Sequence, residues 1–135
     1  MDLNDGEKLL KIKLPIKTVS EANLSREHWT KKHKRHKMQK EAIKLACSNR
    51  ITPDLLPCII KLTRIAPRFL DKHDNLPMSQ KYVLDAICEL LVINKAIGQA
   101  DNDERIQVIY EQIKGIPHEY AIEIEIIHDD KEKIL

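Results

Sequence analysis

Tyr120-Ala121-Ile122-Glu123-Ile124-Glu125-Ile126 sets four large apolar residues against Ala121, Glu123 and Glu125 in strict alternation. A period of two places Tyr120, Ile122, Ile124 and Ile126 on one face of a β-strand with a core beneath it. Reading backward from this strand, Gly115 to Pro117 turns the chain and residues 106–113 predict another strand. Asp101-Asn102-Asp103-Glu104 forms a polar loop before it, and Gly98 stops a helix that starts near Pro77 and buries Val83, Ile87, Leu90 and Leu91. Residues 66–76, with Pro67 and Asp71-Lys72-His73-Asp74-Asn75, read as the loop leading to that helix. Residues 58–65 are mostly apolar, which predicts a strand covered on both faces and central in its sheet. Residues 20–48 have helical composition, with Ser20 or Ser25 as caps, Asn49 near the stop, and Ile43 and Cys47 on the face of Trp29. Residues 10–16 alternate leucine or isoleucine with lysine until Pro15 ends the strand. The order β-α-β-α-β-β predicts an α+β (mixed α/β) domain with one small mixed sheet and two main helices.

A chain of 135 residues fits one domain, here spanning 1–135 with residues 1–8 and 130–135 as frayed tails. Hydrophobic residues make up 42% and charged residues 33%, a balance that excludes disordered and membrane-spanning classes. No apolar run approaches the roughly 18 residues of a membrane span. The acidic start, Met1-Asp2-Leu3-Asn4-Asp5, argues against a signal peptide or anchor, so a cytoplasmic protein without a membrane partner is expected. Cys47, Cys58 and Cys88 are odd in number and lie in apolar segments, as reduced core residues do.

The net charge of +2 hides an asymmetry. Arg26, Lys31, Lys32, Lys34, Arg35, Lys37 and Lys40, with His28, His33 and His36, face only Glu27, whereas acids outnumber Lys and Arg from Asp101 onward. The first region attracts a polyanion, and the last repels one unless cations intervene. Arg26, Lys31, Lys34 and Arg35 are the leading DNA contacts. Trp29 suits either base stacking or a core, and its shared face with Ile43 favours the core.

Asp71 and Asp74 in one loop and Asp101 and Asp103 in another suit a hard divalent ion, because Mg²⁺ takes oxygen from one or two carboxylates, water and phosphate. Such an ion activates water and steadies the leaving oxygen of a phosphodiester. The competing reading makes Asp74 or Asn75 a helix cap and the other acids solvated turn residues, and spacing alone favours it. A zinc site at the histidines lacks a second ligand pair. Neither a nucleophile elbow nor a phosphate-cradling glycine loop is present.

Asp71-Lys72-His73-Asp74-Asn75-Leu76, then Lys81, Asp85-Ala86-Ile87 and Ala100-Asp101-Asn102-Asp103-Glu104-Arg105-Ile106, resemble the signature of RusA-type Holliday junction resolvases. Ser20-Glu21-Ala22-Asn23 and Arg26-Glu27-His28-Trp29 before the basic run are similar to phage-type members, so the likeness covers residues 14–126. The resemblance implies a small homodimeric Mg²⁺-dependent endonuclease of phage or prophage origin, with Mn²⁺ as a substitute and no small-molecule cofactor. Such an enzyme nicks four-way DNA junctions symmetrically in recombination and repair. It implies Asp74 as catalytic metal ligand, Asn75 at the DNA, Lys81 in a phosphate or leaving-group role, and Asp101 as the later metal ligand with Asp103 as its substitute. Two departures stand out. Lys72 occupies the place of the family's first aspartate, so Asp71, one residue further off, either takes the remaining catalytic and metal role through a bulged loop or leaves the site weakened; and the interval from Asn75 to Asp85 is about a helical turn longer than in short members.

The expected function is therefore metal-dependent resolution of four-way junctions, with paired nicks matched by a two-fold dimer. A DNA-binding protein of the same fold without cleavage, and a nuclease for other branched or flap DNA, remain as alternatives.

Overall fold

The computed structural model describes residues 8–19, 28–92 and 103–129. The Ile-Glu alternation forms β4 (Ala121–His128), which lies between β1 (Lys8–Leu14) and β2 (Cys58–Ala66), with β3 (Ile106–Lys114) on the far side of β2. Ile122, Ile124 and Ile126 are wholly buried, and they join Cys58, Ile60 and Leu62 of β2 in one core under the helices. On the other face Glu125 takes Lys8 at 3.5 Å and Lys11 at 3.8 Å, which explains the acid at that position of the alternation. The fold is α+β, with a four-stranded mixed sheet and two main helices, α1 (Trp29–Cys47) and α3 (Lys81–Leu91), plus a short α2 (Asn75–Ser79). As anticipated from its composition, β2 is an interior strand. The three cysteines are free and buried, and burial pushes the Cys58 thiol up to about 11.

Several boundaries move. Strand β1 begins at Lys8, which the sequence assigns to a frayed tail, and ends at Leu14. The remaining tail residues, the caps at Ser20 and Ser25, and Gly98 lie outside the described residues. Helix α1 begins at Trp29 with His28 as its cap, whose Nδ1 accepts the Thr30 N–H at 3.1 Å. The helix expected from Pro77 is split in two: Asn75 opens α2, Pro77 is its third residue, where no N–H is needed, and Gln80 separates α2 from α3. Trp29, expected in the core, is 71% exposed. In α1 only Gln39, Ile43 and Cys47 are buried, so the first ten residues overhang the core that a tryptophan would have needed.

Strand direction positions everything functional. Strand β4 is antiparallel to β1 and β2, and β3 is parallel to β2, so β1, β2 and β3 all point toward one edge of the sheet. At this exit edge begins α3, which runs back toward the opposite, entry edge before β3. Helix α1 lies beside α3 in the same direction: His36 stacks on Tyr82 at 3.6 Å, and Glu89 bridges Lys40 and Lys44 at 2.9 and 3.6 Å. Its cationic first half therefore sits at the exit edge. Among the described residues no helix is long and apolar enough to cross a membrane.

Candidate functional site

Leaving β2, the chain is held against β3 by an amide pair: Gln112 Oε1 accepts the Leu70 N–H at 2.9 Å, and Gln112 Nε2 donates to the Leu70 carbonyl at 2.8 Å. The next residues turn tightly into α2. The Asp71 carbonyl accepts the Leu76 N–H at 2.8 Å, and Asp71 Oδ2 accepts the Asp74 N–H at 3.0 Å. One carboxylate thus fixes the backbone of the other. Asp71 keeps Oδ1 outside this turn, and Asp74, at the helix cap, makes no capping bond with its side chain. Both are exposed, as is Lys81 on the first turn of α3, while Asn75 is half-buried. The turn reading is therefore correct for Asp71, and Asp74 stands at the cap position without capping through its side chain.

The later acidic loop lies elsewhere. Asp103 accepts the Ile106 N–H through its carbonyl at 3.1 Å, at the entry edge, where Arg105 O meets Cys58 N. From there to Gln112, beside Leu70, are six residue steps of β3, about 20 Å. A Mg²⁺ ligand stands about 2 Å from its ion, so Asp103 shares no ion with Asp71 and Asp74 of the same chain. Its carboxylate is also engaged: Arg105 Nε donates to Oδ1 at 2.9 Å and Nη2 to Oδ2 at 2.8 Å. The expected convergence of the two loops within one chain is not found among the described residues, and Asp101 lies outside them. Neither is any group of three or more metal-binding side chains found there. The donor set that fits a hard cation is the pair Asp71 and Asp74, since one or two carboxylates with water and phosphate satisfy Mg²⁺.

The exit edge also carries cations, on the β1 side. Lys31, Lys34 and Arg35 fall on one face of α1 and line an open cleft of about 420 Å³ with Lys17, floored by Pro15, Ile16, Met38 and Ala42. Gln39 ties the helix to the Lys17 carbonyl at 3.4 Å. Arg26 lies outside the described residues. Two large aromatics are exposed at this end, Trp29 stacked on His28 and Phe69 two residues before Asp71. A further cluster, Lys17, Arg64 and Arg68, escaped sequence reading, although an arginine inside the buried strand β2 was its signal.

Comparison with known proteins finds no matching family model, no matching curated protein and no matching solved structure.

Proposed function

We propose that this chain is a divalent-metal-dependent endodeoxyribonuclease of RusA type that resolves four-way DNA junctions by paired nicks. The observation that carries the reading is the exposed Asp71–Asp74 pair at the same edge as the overhanging cationic half of α1. Two adjoining carboxylates repel a DNA phosphate unless a cation lies between them, while the cations elsewhere along the same edge attract the rest of the backbone. Asp71 and Asp74 would hold the ion, which supplies Lewis-acid charge to the phosphodiester and lowers the pKa of water. Lys81 neutralises charge building on the phosphate, Asn75 orients the strand, and Lys31, Lys34 and Arg35 hold the flanking duplex. Asp103 precedes β3 at the far edge, so it joins the Asp71–Asp74 pair only when a second copy presents its entry edge to the exit edge of the first. A two-fold dimer of that kind has two such sites, matching the two-fold symmetry of a junction.

The test incubates labelled four-way junction and linear duplex with Mg²⁺ or with chelator. Nicks confined to the junction and to Mg²⁺ are expected. Junction binding without cleavage across several divalent ions contradicts the reading and favours a non-catalytic DNA-binding protein, while cleavage of flaps and forks alone favours a nuclease for other branches.

Trp29 gives a second readout, because it is the only tryptophan of the chain. Base stacking on an exposed aromatic contributes about 1–3 kcal/mol per base. Its fluorescence is expected to be quenched by a junction or by single-stranded DNA well beyond the effect of duplex, and Trp29→Ala to weaken junction binding roughly tenfold. Equal quenching by duplex, or unchanged affinity, would remove Trp29 from the interface.

A further inference from the structure

Arg64 is an arginine inside a hydrophobic strand, only 6% exposed, and its hydrogen-bond acceptors are all neutral. Nε donates to Thr18 Oγ1 at 3.1 Å, Nη2 to the Thr18 carbonyl at 3.2 Å, and Nη1 to the Arg68 carbonyl at 2.8 Å. A guanidinium has five N–H donors. Three are used among the described residues, leaving one on each terminal nitrogen. A buried cation without a counter-charge is costly, and burial pulls the Arg64 guanidinium below its ordinary range. Beside it opens a cavity of about 230 Å³, walled by Lys17, Thr18, Val19, Ala66, Pro67, Arg68 and Tyr120. No acid lines it. The Lys17 ammonium stands 4.5 Å above the Tyr120 ring, which holds it at the rim by a cation–π contact, and Arg68 is exposed at the mouth. Three cations, one of them buried with donors to spare, thus converge where the described residues provide no anion.

We infer that the Lys17–Arg64–Arg68 cavity is an anion site that takes a backbone phosphate of the DNA strand lying along the exit edge, and this rests on the reading of the chain as a nuclease. The arginine fork matches two phosphate oxygens, and desolvation strengthens each charge-assisted bond. Arg68 stands three residues before Asp71 on one loop, so the cavity and the acid pair flank the same stretch of edge. Held there, a phosphate that is not cut fixes the register of the strand whose neighbouring phosphate meets the acids.

The experiment follows the Arg64 Nε–H resonance and the Thr18 and Val19 amides in ¹⁵N-labelled protein, during titration with inorganic phosphate and, separately, with chloride at equal ionic strength. Saturating shifts with phosphate alone are expected, and an oligothymidylate of about eight residues should displace it. Lys17→Gln and Arg68→Gln, both at exposed positions, should each weaken phosphate binding several-fold. Each should also reduce the slope of log K against log salt for junction binding by about 0.9, the value for one phosphate contact. Lys13→Gln on β1 should change neither. Absence of a phosphate-specific shift, phosphate binding that the oligonucleotide does not displace, which marks an adventitious ion only, or unchanged slopes in both variants would overturn the inference. Shifts and displacement in a protein that cuts no DNA would sustain the cavity and refute the nuclease, whereas cleavage without phosphate shifts would do the reverse.

Discussion

Asp74→Asn is expected to lower Mg²⁺-dependent junction nicking by a factor on the order of 100 or more while junction binding stays within about twofold. The separation follows from where the residue stands. Asp74 is exposed and its carboxylate caps nothing, so an amide of the same shape leaves α2 in place and changes stability by no more than about 0.5 kcal/mol. On the proposed function, what disappears is an anionic oxygen able to hold a hard cation. Asp71→Asn is expected to cost less, because the amide oxygen still accepts the Asp74 N–H and preserves the turn. Cleavage kinetics on a labelled junction, with affinity measured in chelator, check both variants. Equal losses would make Asp71 as full a ligand as Asp74, and a cleavage-competent Asp74→Asn would remove the acid pair from the chemistry.

Replacing Lys31, Lys34 and Arg35 together with Gln should produce the opposite pattern, a loss of binding on the order of 100-fold at moderate salt. Each phosphate contact contributes about 0.9 to the salt slope, so the three together should lower it by close to 3. The fold should not suffer. These residues line an open cleft and none belongs to the core, and Lys31, in the first turn of α1, opposes the helix dipole by about 0.3–1 kcal/mol. Thermal unfolding should therefore be unchanged or slightly later in the triple variant. A tightly bound junction with an unchanged salt slope would mean that DNA lies elsewhere, and early unfolding would mean that the overhang is structural.

The strands were legible because side-chain alternation is a local property. Ile122, Ile124 and Ile126 announce their face whatever they pair with, and the apolar run of β2 marks an interior strand. Pairing is not local. That β3 lies parallel to β2 puts Asp103 at the entry edge and Asp71 at the exit edge, and nothing in the acidic loops indicates it. The Asp103–Arg105 pair, two residues apart, was equally silent, because either side chain suits a polar turn. Trp29 misled for a related reason: it shares a helical face with Ile43, but a face becomes a core only where a partner lies opposite, and α3 meets α1 from His36 onward. The break at Gln80 was hidden behind Pro77, a strong start signal that the structure uses two residues inside a shorter helix. Of the implied site, Asp71, Asp74, Asn75 and Lys81 gather around one turn and the start of α3, while Arg26 and Asp101 lie outside the described residues.

The most direct measurement is of the products formed from a supercoiled plasmid carrying an extruded four-way cruciform. A dimer with two metal-dependent sites cuts opposite strands within one binding event, so linear plasmid should appear in Mg²⁺, with symmetric nicks at the cruciform base and no product in chelator. Intact plasmid at saturating protein, or equal cutting of a plasmid lacking the cruciform, would contradict the proposed function.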